Sequence, residues 1–284
     1  MPAEVLDRFD NPEGQPVVEL VLGEGRQIFL TIGGEKAFQT GYWICDTCRY
    51  IFTKVMPAQR LTDGTAGQLA ERLSRDLRDI AAMPDESSLR EFASVLAPGA
   101  YSVALTSLVP RMVMPGGDED YFAHEAVATW DVDPYFGVGH SPETPYYRLG
   151  AADLGVVDYG SKRLGVVLGV PLFPPTQRLM NRRDVVDRYR AVLREGTAHP
   201  TVLAVGLADD RGPATWGEPP PEFSRHLIVT LYILDGHHKL AAAAAERLPI
   251  QFLAFLPHEY VEADWSEPVT AGVDLLTRLA SRYP

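Results

Sequence analysis

The stretch Leu234-Asp235-Gly236-His237-His238-Lys239-Leu240-Ala241-Ala242-Ala243-Ala244-Ala245 decides how the chain reads. An apolar strand, His226–Leu234, ends at Asp235. Gly236 permits a sharp turn that other residues resist. An alanine-rich helix over His238–Leu248 follows at once. The first N–H groups of a helix have no partner within the helix, and the dipole adds positive potential there, so such a start attracts anions. Two imidazoles and an ammonium supply further donors. The segment reads as a phosphate or carboxylate cradle made by Gly236, His237, His238 and Lys239. Asp235, one residue before the turn, can reach the same pocket as a base or metal ligand, with His237 as its catalytic neighbour. The plainer alternative is a helix start with polar capping residues, Asp235 forming an Asx turn.

On either side of this segment, strand and helix alternate. Leu164–Val170 reads as a strand. Asp184–Glu195 reads as a helix, with Val185, Val186, Tyr189, Val192 and Leu193 on one face and Gly196 as its stop. Thr201–Leu207 and Ile250–Leu256 read as strands, and Val269–Ser281 as a closing helix. This alternation predicts an α+β region over 161–284.

The first 160 residues predict a mixed α/β region. Residues 1–16 read as a loose polar lead-in. Val17–Leu22 and Arg26–Ile32 flank Gly23-Glu24-Gly25 as a hairpin. Leu69, Leu73, Leu77 and Ile80 recur at helical spacing over 65–82, and a second helix opens at Ser87 with Leu89, Phe92 and Leu96. Tyr101–Val109 reads as a strand. The remainder to residue 160, rich in Gly, Pro, aromatics and acids, reads as irregular structure.

Composition narrows the function classes. The chain has 284 residues, and 26 Lys and Arg against 38 Asp and Glu give a net charge of −12. That balance argues against non-specific binding to nucleic acid or to an anionic membrane. The start, MPAEVLDRFDNPEGQP, has neither the basic residues nor the apolar run of a secretory signal. No run approaches the ~18 apolar residues of a membrane span. The expectation is a soluble, cytoplasmic protein.

Cys45 and Cys48 are the only cysteines and form a C-x-x-C in Trp43-Ile44-Cys45-Asp46-Thr47-Cys48. Half a zinc knuckle, a dithiol redox pair and a structural remnant are all open readings. A zinc site would need two further ligands, for which His124, His140 and His199 are available. The acids Asp118, Glu119, Asp120, Glu125, Asp131, Asp133, Glu143 and Asp158 could hold Mg²⁺ beside a nucleotide, or form a solvated face.

LDGHHKLAAAA resembles the phosphate-binding motif of the ParB/sulfiredoxin-like superfamily. The resemblance spans about residues 164–256. Pro171–Pro175 followed by Asn181–Gly196, the strand within His199–Val205, the strand-turn-helix Asp235–Ala245 and the strand Ile250–Phe255 look like that family's order of elements. It implies a small α+β fold binding a nucleotide, ATP or ADP with Mg²⁺, with Gly236, His237, His238 and Lys239 at the phosphates. The DGHH string looks nearest to the free-serine-kinase branch, in which the Asp assists phosphoryl transfer. Those kinases also carry a Glu in the proline-containing loop, which here reads Phe173-Pro174-Pro175-Thr176-Gln177 and holds no acid. Partitioning ParB proteins have a helix-turn-helix after the motif, and only 28 residues follow Leu256, so a DNA role is not expected. The expected function is phosphoryl transfer to a small-molecule hydroxyl; the alternative is a nucleotide-responsive module without chemistry.

Overall fold

Apart from Gln251, Ile250–Pro257 is apolar without alternation, and Ile250 to Leu256 are all buried. A strand apolar on both faces needs cover on both faces and belongs in the middle of a sheet. The computed structural model puts it there. It describes residues 4–11, 18–22, 28–32, 35–40, 52–53, 85–113, 146–149, 156–159, 162–170, 182–196, 198, 200–211 and 225–257.

In chain order the strands are β1 (Glu4–Asn11), β2 (Val18–Leu22), β3 (Ile28–Ile32), β4 (Glu35–Thr40) and β5 (Phe52–Thr53). Helix α1 (Glu86–Ala93) precedes β6 (Gly99–Leu108), β7 (Pro110–Val113), β8 (Tyr146–Leu149), β9 (Val156–Tyr159) and β10 (Lys162–Val170). Helix α2 (Arg183–Glu195), β11 (Thr201–Arg211), β12 (Arg225–Asp235), α3 (His237–Glu246) and β13 (Ile250–Pro257) follow. The main sheet runs β1-β6-β13-β11-β12-β10-β8-β7, with β9 also on β10. Only β10/β12 and β11/β13 are parallel among its pairs, so the sheet is mixed. A second, antiparallel sheet joins β2, β3, β4 and β5. Among the described residues this is a mixed α/β architecture with three helices, compatible with the expected α+β class.

Among the described residues the core is densest on three adjacent interior strands, β6, β13 and β11. Ala104, Ala254 and Ala204 stand in one registered row, with Val103-Phe255-Val205 beside it. All six are buried. Phe92 of α1 meets Phe255 with ring centroids 4.8 Å apart and planes tilted by 48°. Asp85 caps α1 by accepting from the Ser88 N–H at 2.7 Å. Asn11 at the end of β1 donates to the carbonyls of Ala93 and Leu96, so the edge strand closes the far end of α1.

Two sequence expectations need correction. Residues 4–11, read as a loose lead-in, form β1, paired with β6 from Glu4↔Leu105 to Asn11↔Gly99. Residues 110–160, read as irregular, contain the strands β7, β8 and β9. These strands are four residues long. Four residues show no usable period, and such strands exist only because β10 and one another supply partners. The hairpin of β2 and β3 is as expected, with Val18 opposite Ile32. The main sheet draws strands from both sides of residue 160. The expected helices over 65–82 and 269–281, the loop at 173–177 and the Cys45–Cys48 turn lie outside the described residues. No helix among the described residues is long and apolar enough to cross a membrane.

Candidate functional site

The site begins where β12 gives way to α3. Near its end β12 pairs with β11 through a register shift: Ala204 faces Ile233, but Leu203 faces Asp235. Leu234 is therefore an extra residue, and this bulge breaks the two-residue alternation just before Asp235. Gly236 then takes φ +98°, a left-handed conformation that L side chains resist. A Cβ there would lie 3.1 Å from Val202 Cα and 3.2 Å from Val202 Cγ2. Gly236 is thus required twice, by its backbone angle and by the close approach of β11. The Gly236 carbonyl accepts from the Leu240 N–H at 2.9 Å, which closes the first turn of α3.

Lys239 departs from its expected place. Its side chain is only 4% exposed. The ammonium donates to the Thr201 carbonyl at 2.9 Å and to Asp235 Oδ2 at 3.4 Å. It therefore ties α3 to β11 and orients the Asp235 carboxylate, whose side chain is 36% exposed. The reason is helical spacing: Lys239, Leu240, Ala242 and Ala243 form the buried face of α3, so position 239 points inward.

His237 and His238 lie on a different part of the same turn and line a cleft of about 760 Å³. Ala241, Ala244 and Ala245 continue its floor along α3, and Arg247 stands at the end. Arg183, Val186, Asp187 and Arg190 of α2 form one wall. Their spacing of three, four and seven residues places them on one helix face. Arg111, Met112 and Tyr147, from the β7–β8 pair, form another wall. Burial pushes the Tyr147 hydroxyl well above its ordinary titration range, so it stays neutral and keeps its proton.

The described lining carries four arginines and two histidines against one aspartate. With histidine neutral, four arginines against one aspartate leave the described lining with an excess of positive charge, in a chain of net charge −12. Arg190 is partly neutralised, by Asp187 at 3.0 Å and Glu246 at 2.5 Å. Glu246 also accepts two bonds of 2.6 Å from Arg194. Hydrogen bonds from Arg194 and Arg190 hold the Glu246 carboxyl down at about 2. This clamp fastens α2 to α3 beside the cleft.

The structure brings His237 and His238 together in the cleft and places Asp235 and Lys239 behind it, outside the described lining. Sequence reasoning missed Arg111, Arg183, Arg190 and Arg247. The only available signal was the spacing of Arg183 and Arg190 on the face of α2 that also carries Val186. Among the described residues no group of three or more His, Cys, Asp or Glu could hold a metal ion. Mg²⁺ on a nucleotide needs only one or two protein carboxylates, and Asp235 is the acid nearest the turn. No family model, curated protein or solved structure matches the chain.

Proposed function

We propose that the chain binds a nucleotide, ATP or ADP with Mg²⁺, with its phosphates at the first turn of α3, and transfers a phosphoryl group to a small-molecule hydroxyl. The observation that carries this reading is the cationic cleft that opens at His237 and His238. Phosphates suit a helix start, and a cleft of about 760 Å³ has room for a nucleotide. The resemblance of residues 164–256 to the ParB/sulfiredoxin-like superfamily supports the same reading, as does the order β10, α2, β11, β12, α3, β13. With ATP as donor, the acceptor oxygen bonds to the γ-phosphorus while the bond to the leaving ADP oxygen breaks. Asp235 takes the hydroxyl proton, and His237, His238 and the helix start stabilise charge on the phosphoryl oxygens.

The position of Asp235 outside the described lining favours a second reading, a nucleotide-responsive module without chemistry. One variant separates the two. Asp235→Asn keeps an oxygen for the turn and for Lys239, so folding and nucleotide affinity persist under both readings. Under the enzyme reading, nucleotide consumption with Mg²⁺ and a pool of hydroxylated metabolites falls by about 10²-fold, the usual scale for losing an acid–base group. A wild type that binds nucleotide yet consumes none with any acceptor leaves the module. A thermal-shift series with ATP, ADP and pyrophosphate that shows no stabilisation removes both.

A further inference from the structure

Among the described residues two tyrosines are buried, Tyr101 and Tyr147. A buried tyrosine hydroxyl ordinarily finds a hydrogen-bond partner. Tyr101 follows the rule and donates to the Ala97 carbonyl at 2.8 Å. Tyr147 does not. It is the more buried of the two, 1% exposed against 5%, yet its hydroxyl has no hydrogen-bond partner among the described residues. Nor is that oxygen one of the sealed, unbonded side-chain atoms, so it reaches open space. The open space lined by Tyr147 is the cleft. Burial also keeps the phenol protonated, so it meets a ligand as a donor.

Its neighbour breaks a second rule. Tyr147 sits on an interior strand, paired with Met112 of β7 on one side and Val170 of β10 on the other. Cross-strand partners project from the same face with Cβ atoms about 5 Å apart, so the Met112 side chain lies beside that of Tyr147. Met112 is 50% exposed, the one exposed large hydrophobic among the described residues, and it too lines the cleft. Small-molecule sites combine apolar surface with a few placed polar groups, and an open thioether beside an unused donor has that makeup. A phosphate gains nothing from a thioether, whereas a flat heteroaromatic ring gains contact with its polarizable sulfur. Arg111 lies on the same wall, so a phosphate is the competing occupant.

Building on the nucleotide reading, we infer that Met112 and Tyr147 hold the nucleobase, the ring resting on the thioether and the Tyr147 hydroxyl donating to one of its acceptor atoms. The phosphates stay with His237 and His238 of α3, on another wall of the same cleft. Met112 and Tyr147 both precede residues 164–256, so this base site owes nothing to the superfamily resemblance. Its position on paired strands, not on a loop, fixes the donor in place.

Calorimetric titration of the full chain with ATP and with inorganic tripolyphosphate, each with Mg²⁺, tests this. Wild type should bind ATP at least about tenfold more tightly than tripolyphosphate. Tyr147→Phe removes a single oxygen to which no described residue bonds, so the Tm should stay within about 1 °C. The same variant should weaken ATP binding about tenfold and leave tripolyphosphate binding unchanged. Met112→Ser should weaken ATP about fivefold with the same selectivity. Equal loss of ATP and tripolyphosphate affinity overturns the inference, because the wall would then serve phosphates. Unchanged ATP affinity in either variant also overturns it. So does a lowered Tm for Tyr147→Phe, which would reveal a structural partner for the hydroxyl. A wild type that binds the two ligands equally overturns the base site and leaves phosphate binding at α3 standing. A wild type that binds neither removes the nucleotide reading and the base site together.

Discussion

The two ends of α3 are built on different physics. Its start is set by steric fit: Gly236 turns against Val202, and Lys239 is buried against the Thr201 carbonyl. Its end is set by charge at the surface, where Glu246 is gripped by Arg190 and Arg194 and Arg247 occupies a glycine position. A fitted end tolerates almost no change of shape. A charged end tolerates changes of shape but responds to pH and salt. The start therefore anchors the helix to the sheet, and the end fastens it to α2.

The sharpest way to break this comparison is Gly236→Val. It adds a branched side chain at φ +98° against the backbone of β11. Strain and collision together should cost about 3 kcal/mol or more, read as a lowered midpoint in urea unfolding. A near-normal midpoint would mean that the turn is not a steric anchor.

Lys239→Met comes next. It keeps the buried stem but removes the bond to Thr201 and the pairing with Asp235. A loss of about 1–3 kcal/mol in stability is expected, with nucleotide affinity changed less than by His238→Ala. The opposite ranking would return Lys239 to the phosphates.

The smallest expected effect concerns the other end. Glu246 titrates at about 2 in the folded chain against an ordinary 4.5. Its folded value is depressed, so its contribution is complete above the ordinary value and is lost as pH falls through about 2. Wild type should melt above Glu246→Gln near neutrality, and the gap should close between pH 4.5 and 2. A gap independent of pH would show that the clamp works through shape alone.

Much of the second half was legible because its elements are long and patterned. The helix face of Val185, Val186, Tyr189 and Val192 and the stop at Gly196 appear where the sequence places them. The strand-glycine-helix at 235–237 was legible for the same reason. The strands β1, β7 and β8 were not, because pairing with distant residues creates them, and β9, whose partner β10 follows directly, is too short at four residues to show a period. At the site, the sequence pointed to the imidazoles at 237 and 238 and to the glycine turn. It could not show the arginines, which reach one cleft from β7, α2 and the end of α3.

By itself, then, the sequence determined that an apolar strand turns at Gly236 into a helix, started at His238, since glycine permits a turn that other residues resist and helical spacing follows from local residues. The tertiary structure alone decided that Lys239 faces inward to Thr201, that a bulge sets Asp235 opposite Leu203, and that arginines from three elements converge on the cleft. The physical reason is range. Backbone angles and helical periodicity act within a few residues, whereas burial and the placement of charge depend on which distant segments pack together.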